Sequence, residues 1–165
     1  MAGRGMFKDW QAISKLLTGY AALIDAGRFE EAAALFEHAT YDVVRDAGGV
    51  VAHYEGATAV LAFFSGTIIH PDGTPRTKHL VTNVDIDLDG DRASARSYVT
   101  VLQQTELLPL QPIASGRYLD RFERVGGEWR FAERVVTGFL LGDRSQHVQW
   151  SASVPPGAAD EGGAS

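Results

Sequence analysis

Apolar residues recur at intervals of three and four from Trp10 through Ile13, Leu16, Leu17, Tyr20 and Leu23 to Ile24, which predicts an amphipathic helix ended by Gly27. A second helix is predicted from about Arg28 to His38, with Phe29, Ala32, Ala33, Leu35 and Phe36 on one face and Glu30, Glu31 and Glu37 off it. The β-rich runs Thr40 to Arg45 and Val50 to Tyr54 flank the turn residues Ala47, Gly48 and Gly49 and read as a hairpin. A third helix fits Thr58 to Ser65, before a loop from His70 to Thr77 whose prolines and glycine exclude a regular element. From Lys78 the pattern changes to long strands. Lys78 to Leu88 turns at Asp89-Gly90-Asp91 into Arg92 to Gln104, and Ser115 to Val125 turns at Gly126-Gly127 into Glu128 to Thr137.

Helices first and an antiparallel meander last predict an α+β domain, a curved sheet forming a cone over the helical layer. On the strand Arg92 to Gln104 one parity carries Ala93, Ala95, Ser97, Val99, Val101 and Gln103. Such a small-residue face either leaves room for a ligand or lets a helix approach closely. The segment SASVPPGAADEGGAS from Ser151 has one valine and no aromatic, too little apolar surface to offset its ordering entropy. A single domain over residues 1–150 and a disordered tail over 151–165 are expected.

With 165 residues and 45% hydrophobic content, a compact fold removes roughly 70% of the unfolded surface from water, so one core suffices for stability. The absence of cysteine rules out thiolate nucleophiles and iron–sulfur ligation and leaves a reducing cytoplasm as the simplest compartment. Fifteen basic against twenty-one acidic residues, with no basic cluster, argue against nucleic acid. The first ten residues lack the apolar region of a secretory signal, and the longest apolar run, Ala59 to Phe64, is far too short to span a bilayer. His38, His53, His70 and His147 lack the close pairing of zinc ligands, so no metal is expected. Dinucleotide, phosphate-loop and nucleophile-elbow motifs are missing from the sequence.

The order of elements, with YAALID closing the first helix, KHLVTN opening a long strand and GRYLDRFERVGGEWRF near the end, resembles the SnoaL-like part of the nuclear-transport-factor-2-like superfamily. The branch resembled is that of scytalone dehydratase and its bacterial relatives, over about residues 7 to 147. The resemblance implies a cystatin-like α+β barrel with Tyr20 and Asp25 on the helical wall of a pocket and His79 on the sheet opposite. In similar dehydratases a histidine paired with an aspartate takes a proton from carbon, and a tyrosine polarises the substrate carbonyl or assists the leaving group. An acid or histidine often follows near the end of the next strand. Here that position holds Gln103 and Gln104, which hydrogen-bond but do not transfer protons at neutral pH.

The residues carry their own arguments. Asp25 sits where the helix C-terminus disfavours an anion by about 0.3–1 kcal/mol, so it is either solvated or held by a cationic partner, and His79 is a candidate. His79 shares its parity with Val81 and Asn83, where desolvation would favour a neutral imidazole able to act as a base. Tyr20 is five residues before Asp25, about 140° around an ideal helix, so the two share a pocket only across the helix end. Tyr41 and Tyr54 on the first hairpin are either core or pocket residues. Asp120, on the parity of Tyr118 and Phe122, is a second polar pocket group or the partner of a neighbouring arginine. Arg117, Arg121, Arg124, Arg130 and Arg134 alternate with acids across the last hairpin and read as a solvated face. The apolar loop Glu106 to Ile113, with Leu108 at its centre, is either a lid on the cone's mouth or a contact between subunits.

Together these readings predict a cofactor-independent enzyme on a small hydrophobic, carbonyl-bearing, polycyclic or aromatic substrate, polyketide- or steroid-like. Dehydration comes first, then isomerisation or cyclisation, in a homodimer or trimer. The rival is a non-catalytic ligand-binding module or partner subunit, such as a dioxygenase small subunit.

Overall fold

The computed structural model of the protein describes residues 2–45 and 49–149. The first hairpin's turn at 47 and 48 and the tail from Ser151 lie outside the described residues. Among the described residues three helices and six strands follow one another as α1 (Ala2–Asp25), α2 (Phe29–Ala34), β1 (Thr40–Val44), β2 (Val50–Glu55), α3 (Gly56–Phe64), β3 (Thr77–Asp89), β4 (Arg92–Gln103), β5 (Gln111–Val125) and β6 (Glu128–Leu141). The strands form one sheet in the order β2-β1-β6-β5-β4-β3. All pairs are antiparallel except β1 with β6. Helix α1 packs against both β6 and β3. Those strands are three positions apart, roughly 14 Å along a flat sheet, so the sheet bends around the helix.

On α1 the buried stripe is Ile13, Leu17, Tyr20 and Ile24, with Leu16 and Leu23 packed at its edge and Trp10 exposed. The helix starts eight residues before the predicted Trp10, and its first turns carry Met6 and Phe7 in solvent. Helix α2 is shorter than predicted, because Phe36 and Glu37 donate to carbonyls three residues back and tighten the chain into turns. Strand β5 begins at Gln111, four residues before the expected start, and takes up Pro112 beside a bulge at Val101/Leu102.

Two further bulges decide which side chains face inward. On β3 the pairing skips between Thr82 and Asp85, at Asn83 with φ 52°, so Thr77, His79 and Val81 turn inward before the bulge and Ile86 and Leu88 after it. On β6 the register shifts between Phe131 and Glu133, so Trp129 and Phe131 are buried before the shift and Arg134 and Val136 after it.

That second shift corrects the reading of the last hairpin. Arg134 is not on a solvated face. It is wholly buried and makes a two-pronged bond to buried Asp120, Nε to Oδ1 at 2.7 Å and Nη2 to Oδ2 at 3.0 Å. Its guanidinium carbon lies 4.0 Å from the Tyr118 ring centre, 4.4 Å from Tyr20 and 4.8 Å from Phe131. Aromatic faces and a bidentate carboxylate replace the water such a charge would lose. Of the two readings for Asp120, the arginine partner is the one observed, and Asp120 does not line the pocket.

Candidate active site

Helix α1 ends in a Schellman turn: Arg28 N–H donates to the Leu23 carbonyl at 2.9 Å and Gly27 N–H to that of Ile24 at 3.0 Å. Gly27 takes φ 72° there. The turn delivers Asp25 to β3, which is an edge strand and therefore has backbone N–H groups to spare. Asp25 Oδ2 accepts the His79 backbone N–H at 2.8 Å. Its Oδ1 accepts the Thr77 hydroxyl at 2.8 Å and the His79 ring Nδ1–H at 2.6 Å. Three donors answer the unfavourable helix terminus. Burial would raise the Asp25 carboxyl, but the His79 ring, its N–H and Thr77 together hold it below the ordinary aspartate value.

An ionised Asp25 only accepts, so the proton between the two groups sits on Nδ1, and in the neutral ring the lone pair is on Nε2. His79 lines a cavity of about 420 Å³, whereas Asp25 lies behind the ring and does not. Both side chains are largely buried, at 9% and 12% exposure. The carboxylate is thus placed to orient the imidazole and to stabilise its protonated form, rather than to touch a ligand.

The cavity walls are largely apolar. Tyr20 and Ile24 come from α1, Tyr41 and Val43 from β1, Tyr54 from β2, Phe63 and Phe64 from α3, and Val99, Val101, Gly116 and Tyr118 from the central strands. The small-residue parity of β4 divides accordingly. Ala93 and Ala95 belong to the packed core, and Val99 and Val101 border the cavity. The Tyr20 and Tyr41 hydroxyls lie 3.4 Å apart. Burial raises the Tyr20 phenol against the opposing charge of Arg134, and raises Tyr41 and Tyr118 well above the usual value. These phenols therefore stay protonated as donors at any working pH.

Three residues assigned to the pocket from the sequence lie off the cavity wall. Gln103 is buried outside the cavity lining, where its Nε2 donates to the carbonyls of Pro75 and Gln146, each at 3.0 Å, and ties two loops together. Gln104 is exposed, because β4 has ended by then. Leu108 is held in a turn whose N–H groups at Leu107 and Leu108 donate to the Thr105 hydroxyl, and it is absent from the cavity wall. Of that apolar stretch Ile113 is core, while Leu107 and Leu110 are exposed.

The segment after β6 adds residues that periodicity did not reveal. Arg144, His147 and Val148 line the cavity. Val148 bridges to Thr67, the Ile68 N–H donates to the His147 carbonyl at 2.8 Å, and the Gln149 N–H to that of Gly66 at 3.0 Å. Tyr118 was also missed, although its parity with Asp120 and Phe122 marked an aromatic inner face. Among the described residues no three His, Asp or Glu side chains cluster as a metal site requires, and no helix is long and apolar enough to cross a membrane.

This architecture, six strands bent over three helices around an apolar cavity, is the nuclear-transport-factor-2-like, cystatin-like fold. The chain belongs to the SnoaL-like domain family, whose model matches residues 6–135. Among solved structures, a nuclear-transport-factor-2-like protein with a cystatin-like fold from Novosphingobium aromaticivorans aligns with a TM-score of 0.70 at 24% identity, covering 88% of this chain and 90% of that one. A candidate scytalone dehydratase from the same organism aligns with a TM-score of 0.62 at 25% identity, covering 97% and 100%. The β subunit of a candidate aromatic-ring-hydroxylating dioxygenase, again from that organism, gives 0.65 at 20% identity, covering 84% and 94%. No curated protein matches the chain.

Proposed function

We propose that the protein is an acid–base enzyme that abstracts a proton alpha to the carbonyl of a small apolar, polycyclic or aromatic substrate, with dehydration as the overall reaction. The Asp25–His79 bond at 2.6 Å on the wall of an apolar cavity carries this reading. His79 Nε2 is the base, Asp25 fixes its tautomer and offsets the imidazolium charge, and the Tyr20 hydroxyl donates to the carbonyl oxygen as it becomes an enolate. A β-hydroxyl then leaves as water. The likeness to a candidate scytalone dehydratase supports elimination ahead of isomerisation or cyclisation.

The test is a panel of bicyclic β-hydroxyketones, followed by the ultraviolet absorbance of the conjugated enone. Wild-type protein should convert at least one member, and His79→Ala should convert none. The likeness to a dioxygenase β subunit supports a second reading, a non-catalytic partner subunit. That reading gains if no ketone turns over and the protein forms a stoichiometric complex with an iron-containing larger subunit. We also propose self-association through the outer sheet face, where Leu80, Tyr98 and Leu119 are exposed.

A further inference from the structure

His147 is the second imidazole of the cavity. It lies on a segment held from both sides: its own N–H donates to the Arg144 carbonyl at 2.9 Å and its carbonyl accepts from Ile68. The preceding carbonyl, of Gln146, accepts both the Gln103 amide at 3.0 Å and the His70 ring Nε2–H at 3.1 Å. Gln103 also grips Pro75, two residues before Thr77, so one side chain ties the His147 segment to the strand that carries His79. His147 lines the cavity, and its Nδ1 is buried with no hydrogen-bond partner among the described residues. A buried lone pair without a partner costs less than a buried N–H, so the ring proton belongs on Nε2.

We infer that His147 is a further substrate-contacting residue, an imidazole whose N–H joins the Tyr20 hydroxyl in donating to the substrate's carbonyl oxygen and fills the place the sequence suggested for Gln103 and Gln104. Burial and the neighbouring base both favour a neutral donor. Burial lowers the ring's pKa to about 4, helped by the charges of His79, Arg144 and His70 and opposed by Asp25. An acidic donor beside the base would also exchange its proton with His79 before reaction, whereas a neutral N–H holds it.

The step balances with these groups alone. His79 Nε2 takes the α-proton, the C–H pair becomes the enolate double bond, and the carbonyl π pair moves onto the oxygen that His147 N–H faces. The enolate then collapses, the β C–O bond breaks, and hydroxide leaves as water with the proton His79 had taken.

This role rests on the acid–base reading for the identity of the oxygen, but binding tests it without turnover. The probes are 2-naphthol, which resembles a bicyclic enolate, and naphthalene, which has the same shape without the oxygen. Wild-type protein should prefer the naphthol. His147→Phe should lose about tenfold in naphthol affinity with naphthalene affinity unchanged within about twofold, and His147→Asn, which keeps an N–H donor, should recover part of the loss. Circular dichroism confirms folding of each variant, and if His147→Phe fails to fold, the Asn variant against His147→Leu makes the same comparison. Equal losses for both probes, no loss for naphthol, or binding of neither probe by the wild type would overturn the assignment. If the naphthol preference depends on His147 but His79→Ala still turns over ketones, the donor stands and the base is misassigned. The reverse result retains the base and removes the donor.

Discussion

A Cβ added to Gly27 would sit 2.5 Å from the carbonyl oxygen of Gly73. The end of α1 and the loop leading into β3 therefore touch backbone to backbone, and this approach sets the separation between Asp25 and His79. Gly73, by contrast, has open space around its missing Cβ, although both glycines have positive φ. Gly73→Ala should cost only the left-handed backbone penalty, about 1–2 kcal/mol. Gly27→Ala should cost more, since the backbone must also move. Denaturant melts of the two variants check the difference, which vanishes if the contact is not tight.

The buried Asp120–Arg134 pair makes a stability prediction separable from catalysis. Asp120→Asn removes the negative charge and leaves Arg134 enclosed by rings with no counter-charge. The expected loss is about 3–5 kcal/mol, the range for breaking one partner of a buried ion pair. Urea unfolding measures it, and a loss below about 1 kcal/mol would show that water reaches the guanidinium.

His147 also makes stability depend on pH. Its folded pKa, about 4, lies below the ordinary histidine value of 6.5, so the unfolded chain binds a proton first as pH falls. The neutral-ring contribution is full above pH 6.5 and is lost between 6.5 and 4. The titratable and charged groups whose fields act on the ring are His79, Arg144, His70 and Asp25. At about 1.4 kcal/mol per unit, and with discount for its partial exposure, the loss is about 2 kcal/mol. The stability difference between wild type and His147→Gln should slope across that window and flatten above it. Asp25, whose pKa is lowered, loses its contribution only at more acidic pH. A flat difference from pH 4 to 7 contradicts a buried neutral ring.

Much of this was legible in the chain. Helix α1 and the two long hairpins follow from apolar spacing and turn residues; an anion at a helix terminus asks for donors or solvent, and it is the SnoaL-like resemblance that put His79 opposite Asp25. The rest depended on single-residue slips and on tertiary closure. Strict alternation leaves Arg134 on the outside, and the register shift at residue 132 turns it in. Gln103 has the right parity for a pocket residue, yet the Pro75 and Gln146 carbonyls claim it. His147 follows a polar run, GDRSQ, with no period to detect, and only its bridge through Val148 to Thr67 brings it to the cavity.

The orienting role of Asp25 separates binding from chemistry. Asp25→Asn keeps the shape and can still hydrogen-bond, but it cannot offset the imidazolium charge. Its defect should appear in kcat with KM little changed, once a turning-over ketone is found. A rise in KM at constant kcat would instead make Asp25 a binding residue.

The most direct measurement is deuterium incorporation at the α-carbon of 2-tetralone in D2O, followed by proton NMR. It reports proton abstraction alone, whether or not a leaving group is present. Wild-type protein should accelerate exchange above buffer, and His79→Ala should lose a factor of about 10² to 10⁴, the usual worth of a positioned general base. Exchange by His79→Ala at the wild-type rate would contradict the account.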